Sequence, residues 1–277
     1  MTDLSAAGPG FSPLDLAALL YFLAAWTAYG LSVGRLRGGQ ISLSRIMDRH
    51  RENWARQVIV RDNRVVDTQI NASLQNGTAF FASTSLIALG SVLTLTRSGD
   101  DVINLFATLP FGSVANRLTW EVKVAGLACV FTYAFFKFAW AYRLFNYSAI
   151  LLGAVPPRGA DVPGSAMLRT VQRIAAMNVT AGSHFARGQR AFFFALAYLG
   201  WFVSPLVLFV STTFVVTVML HRQFGSRIRQ EMLALGECDH EGPLGATDAD
   251  AVTGSSRVDA ANQGLGGEFR HGSKGTI

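Results

Sequence analysis

Apolar and polar positions alternate in blocks along this chain. Four long apolar stretches, residues 14–33, 79–96, 122–144 and 191–220, are separated by arginine-rich segments. As a helix, each is about long enough to cross a hydrocarbon core of ~30 Å. The pattern predicts an all-α polytopic membrane protein: four transmembrane helices with amphipathic cytoplasmic helical extensions. Residues 1–13 form a short N-terminal segment, 14–235 the membrane domain, and 236–277 a Gly-, Asp- and Ser-rich tail expected to be disordered.

Within that frame the blocks differ. The first stretch carries Gly30, Gly34 and Gly38 at intervals of four, a spacing that lets a second helix approach closely. Residues 41–70 read as one amphipathic helix, with Leu43, Met47, Trp54 and Val58 on its apolar side, and it is expected to run on into the second span. The second span holds Ser83, Thr84, Ser85, Ser91 and Thr94, which suits a helix facing protein. Residues 105–111, broken by Pro110, are expected to dip into the interface. The third span is aromatic, as a lipid-facing surface would be. Pro156, Pro157 and Pro163 mark a turn, followed by a second amphipathic helix over 167–181. The last stretch would be about 45 Å long as a helix, so Pro205 is expected to kink it.

Charge refines the picture. Only 15% of residues are charged and 50% are hydrophobic, against about a quarter charged in an average soluble domain. The formal charge is +6, and of 24 basic residues only Lys123, Lys137 and Lys274 are lysines. Because the arginines flank the apolar blocks, they fit topology determinants and contacts to anionic lipid head groups; nucleic acid is rejected as a partner. Eight arginines precede the second span and six lie in residues 143–190, which places both connections in the cytoplasm and both termini on the periplasmic side of a bacterial inner membrane. Arg222, Arg227 and Arg229, directly after the last stretch, resist that assignment. The N-terminus has no basic region, so the first span is expected to stay uncleaved. Cys129 and Cys238 fit neither a metal site nor a disulfide framework.

No catalytic motif is visible: there is no GxxxxGK[ST] loop, no HExxH and no CxxC pair, and the five histidines are scattered. The expectation is a non-enzymatic protein with no cofactor and no metal. Candidate sites are polar residues at membrane depth. Asn63, Asp67, Asn71 and Gln75 recur every four residues, either as a polar seam that bonds a neighbouring helix or as the wall of an aqueous vestibule. Lys137, six residues inside Arg143, is expected to snorkel, to pair with Asp67, or to line a solute path. Arg143 with Asn146, and His184 with Arg187 and Arg190, fit head-group anchoring or an anion site.

Several blocks together resemble a known family: His184 to Ala197 followed by Gly200, Trp201 and Pro205; Arg143 to Asn146 with Gly153 to Pro156; Arg61 to Asp67; and Phe80 to Thr84. They resemble the bacterial integral-membrane family called domain of unknown function 599, over about residues 13–230. The resemblance implies four spans in a bacterial inner membrane and implies no activity. The leading functional reading is a helical scaffold or accessory subunit that self-associates as a homo-oligomer. The alternative is a small oligomeric channel or transporter for an ion or small solute.

Overall fold

The computed structural model describes residues 11–35, 42–97, 117–157, 160–161 and 163–225. Seven helices are described: α1 (Pro13–Arg35), α2 (Leu43–Val60), α3 (Val65–Arg97), α4 (Arg117–Gly153), α5 (Gly164–Tyr198), α6 (Gly200–Val203) and α7 (Pro205–Phe224). Four of them, α1, α3, α4 and α7, are long and apolar enough to cross a membrane. Their outward faces carry large apolar side chains such as Phe80, Ile87, Phe136, Val210 and Phe214, the inverse of a water-soluble surface. The chain is therefore a multi-pass, all-helical membrane protein. The expected interfacial stretch 105–111 and the tail 236–277 lie outside the described residues.

Local chemistry sets the helix boundaries. Ser42 caps α2 by accepting a hydrogen bond from the Arg45 N–H. The single long helix expected over 41–70 is interrupted at residues 61–64. Arg61 turns to extended backbone (φ −81°, ψ 132°), and Asn63 Oδ1 accepts from the Val65 N–H at 3.0 Å. Asp and Asn compete in this way for backbone donors, and so they end and start helices without any Gly or Pro.

The expected fourth span over 191–220 is likewise divided. The second amphipathic helix and the first part of that span are one continuous helix, α5, and the chain then breaks at Leu199 and Ser204. Ser204 is fully extended, its side chain accepts from the Val207 N–H, and Pro205 is the first residue of α7. Proline here starts a helix, where its missing N–H costs nothing, and kinks none.

Side-chain contacts give the helix directions. α3 lies antiparallel to α4: Asn71 reaches the Phe145 carbonyl, Phe81 stacks on Phe138, and the Trp120 indole approaches the Leu95 carbonyl. α5 is antiparallel to α4, from Asn178 on Ser148, through Phe192 on Phe131, to Tyr198 against Gly126. α5 also runs antiparallel to α1, with Phe22 against Tyr198, Trp26 stacked on Phe194 and Arg190 over Tyr29. α7 runs parallel to α1: its start lies just beyond Trp201, which is bonded to Asp15, and its end reaches Ser44 through Gln223. Residues 190–198 of α5 thus lie level with the middle of α1, inside the depth that α1 spans.

α3, α4 and α5 contain 33, 37 and 35 residues, or about 50, 56 and 52 Å at 1.5 Å per residue. All three outrun a ~30 Å hydrocarbon core, and they project together at the end where α2 packs. There Ala55 and Val58 of α2 meet Leu152, Val155, Val171 and Ile174 in a second small core. The main core lies at membrane depth around Phe22, Leu127, Phe194, Tyr198 and Trp201.

Candidate functional site

Three polar clusters stand out. The first lies at the Asp15 end. Lys123 is only 3% exposed; its ammonium donates to the Trp201 carbonyl at 2.9 Å and pairs with the Asp15 carboxylate at 3.6 Å. Asp15 also accepts from the Trp201 indole at 2.8 Å and the Ser12 hydroxyl at 2.8 Å, and Lys123 lies 5.1 Å from the Trp201 ring centroid. One ion pair thus ties α1, α4 and α6 together. In the sequence Lys123 is the second residue of the third apolar stretch, and nothing near it in the chain marks its partners.

The second cluster is the predicted polar stripe on α3. Asp67 is fully buried and accepts from Trp54 Nε1 and Arg61 Nη1, both at 2.8 Å. Asn71, also buried, donates Nδ2 to the Phe145 carbonyl at 3.3 Å. The stripe does not include all four candidates. Asn63 is exposed and caps α3, and Gln75 is only half-buried. The buried track continues through Asn71, Thr78, Ser85 and Val92. A spacing of seven drifts by only about 20° per step, whereas a spacing of four carries the stripe off the contact face. Thr78 and Ser85 bond the carbonyls of Leu74 and Phe81 one turn back, so they are satisfied within α3. Ser83, Ser91 and Thr94 are exposed, contrary to the expectation that the span's small polar residues face protein.

On the far side of this seam Asn178, buried on α5, bonds Ser148 of α4. The remaining buried acceptors, Asp67 Oδ2, Asn71 Oδ1 and Asn178 Oδ1, have no hydrogen-bond donor, a pattern that suits enclosed water. Nearby, Arg64 forks onto the carbonyls of Val155 and Pro156 and clasps the turn after α4. On α2, burial holds the Asp48 carboxyl above its ordinary range despite its 2.9 Å pair with Arg51, whose guanidinium covers Gly182 of α5.

The third cluster surrounds Lys137, and it corrects the expected pairing with Asp67, whose bonds go to Trp54 and Arg61. Lys137 makes no ion pair with any described carboxylate. Its ammonium lies 5.1 Å from the Tyr133 ring centroid. Tyr133 is one turn deeper than Lys137, so the side chain points away from Arg143 instead of snorkelling toward it, as the tilt of helical side chains favours. His184 of α5 stands beside it, its Nδ1 buried without a partner. Of the other expected anion residues, Arg143 and Arg190 have contacts of their own. Arg143 is held on α4 by the Tyr147 hydroxyl and the Trp140 and Tyr147 rings, Arg190 lies over Tyr29 of α1, Asn146 is half-buried and Arg187 is exposed. Among the described residues no three His, Cys, Asp or Glu side chains gather as a metal site.

The blocks that carry the family resemblance meet in space. Arg64 grips Val155 and Pro156, and Phe81 packs edge-on to Phe185 at 5.6 Å. No curated protein matches the chain, and no solved structure does. A family model described as protein of unknown function, DUF599, matches residues 17–228. With most of its length and both helix cores inside that match, the chain belongs to the DUF599 family.

Proposed function

We propose that this protein is a non-enzymatic membrane scaffold: a bundle that holds a rigid helical layer at one membrane face. The observation that carries this reading is the closure of the polar seam. The groups that a solute path would need, Asp67, Asn71, Thr78, Ser85 and Asn178, are all buried, and each has at least one bond to a neighbouring helix or to its own backbone; the acceptors left over on Asp67, Asn71 and Asn178 are enclosed with them. Lys137, the other candidate for such a path, stands in a separate groove on α4 and is not joined to them. The layer made by α2 and the projecting ends of α3, α4 and α5 has its own apolar core and an exposed rim that includes Arg45, Arg49, Glu52, Arg56, Arg169 and Arg173. Such a rim suits anionic lipid heads or an acidic partner.

The same reading sets a topology that differs from four simple crossings. If α1 and α7 both cross, their parallel course puts the two termini on opposite sides, and the return passage falls to the second half of α5. The arginines that follow the last span then lie on the same side as the two other arginine-rich connections, and the asymmetry that resisted the sequence reading disappears.

Cysteine labelling tests both parts. In a background without Cys129 and Cys238, a membrane-impermeant maleimide on intact bacterial cells should label Ser5→Cys. Asn53→Cys and Ser255→Cys should react only after permeabilisation, and Thr78→Cys and Ser85→Cys in neither state. Labelling of positions 5 and 255 from the same side would overturn the topology. Labelling of 78 or 85 would open the seam to water and favour transport.

A further inference from the structure

One cavity is not used by the seam or by the scaffold layer. It is a groove of about 580 Å³ on the outward face of α4, lined by Cys129, Thr132, Tyr133, Phe136, Lys137 and Trp140, with His184 of α5 closing one side. The α4 residues fall at spacings of three and four, so they form one face of the helix. Most of the lining is aromatic or apolar. Its polar groups are the Thr132 and Tyr133 hydroxyls, the Trp140 indole N–H and two further nitrogens: the Lys137 ammonium, which faces no described carboxylate, and His184 Nδ1, buried without a partner.

We propose that this groove binds a free long-chain fatty acid, its carboxylate at Lys137 and His184 and its chain along Tyr133, Phe136 and Cys129. Charge complementarity selects the occupant. An ammonium at membrane depth is costly unless an anion or water meets it, and here its immediate neighbour is the face of Tyr133. A carboxylate accepts from the ammonium and from the Nδ1–H tautomer of His184, which satisfies both nitrogens at once. The head is small because a groove with so few polar groups cannot replace the hydration of a glycerophosphate or a sugar. The tail is apolar because most of the remaining lining is. This inference does not depend on the scaffold reading, since a lipid-binding groove is compatible with a closed or an open seam.

Radiolabelled oleate binding to the purified, detergent-solubilised full-length protein tests it. Lys137→Met should weaken oleate binding at least tenfold. Cys129→Phe, which fills the groove and leaves the charge in place, should do the same. Cys129 is exposed and neither residue belongs to a buried hydrophobic cluster, so the variants are expected to keep the wild-type elution profile and melting temperature. Unlabelled oleate should displace the probe, whereas oleyl alcohol, its neutral analogue, should not. Wild-type affinity in either variant would overturn the proposal. Equal displacement by oleyl alcohol would show that the charge plays no part, and stronger displacement by phosphatidylglycerol would assign the groove to bilayer phospholipid instead.

Discussion

Lys123→Met is expected to destabilise the bundle by about 3 kcal/mol in detergent, the lower end of the cost of breaking a buried ion pair. The Lys123 side chain is 3% exposed and that of Asp15 13%, so removing the cation strands a largely desolvated carboxylate. The lower end applies because Asp15 keeps the Trp201 indole and the Ser12 hydroxyl as donors. The Trp201 carbonyl, which accepts from Lys123 at 2.9 Å, loses that partner as well. Asp15→Asn should cost less than Lys123→Met, since the amide oxygen still accepts from Trp201 and the lysine keeps the carbonyl. The double variant should recover part of the loss, giving a coupling energy clearly different from zero. Thermal melts of the four proteins in one detergent check this. Strict additivity would mean that the two groups do not act as a pair. Lys137→Met, by contrast, should leave the melting temperature almost unchanged.

Gly188→Val is expected to be strongly destabilising. A Cβ at Gly188 would stand 2.7 to 2.9 Å from three ring atoms of Phe138. That ring is fully buried and stacked on Phe81, with centroids 5.4 Å apart, so it has no room to give. Even Gly188→Ala should cost about 1–3 kcal/mol, the usual range for overpacking, and the two further methyl groups of valine should cost more. Phe138→Leu should relieve part of the loss. Gly182→Ala supplies the control: its Cβ meets the end of the flexible Arg51 side chain, which can swing aside. Gly30→Ala is a second control, because nothing lies within 4 Å of its Cβ position. Melting temperatures should fall in the order Gly188→Val, Gly188→Ala, Gly182→Ala, Gly30→Ala, the first lowest. A tolerated Gly188→Val would contradict the α4–α5 packing.

This contrast shows what the sequence could and could not reveal. The apolar blocks are legible because lipid penalises every exposed charge and every open backbone group, and so the first three spans fall inside α1, α3 and α4. The small-residue stripe on α1 was legible as a pattern but not as a contact. Among the described glycines, close approaches occur instead at Gly126 and Gly188, whose partners Tyr198 and Phe138 are many residues away; the surroundings of Gly34 and Gly38 lie outside the description. The break at residues 61–64 depends on Asn63 capping α3, a competition between side chain and backbone that hydropathy cannot register. Asp67 and Asn71 were found because their i, i+4 spacing is local. Lys123 was missed for the opposite reason: it reads as the polar edge of a span, and its partners Asp15 and Trp201 are supplied by other helices. The division of the last apolar stretch at Leu199 to Ser204 was hidden because both halves are equally apolar.

The scaffold reading depends on the bundle's carrying nothing through the membrane, and flux in proteoliposomes measures that directly. Reconstituted protein, loaded against gradients of potassium, chloride or protons, should leak no faster than protein-free liposomes, and Lys137→Met should change nothing. Flux well above that background, abolished by Lys137→Met in a protein that melts like the wild type, would contradict the account and establish a conducting path.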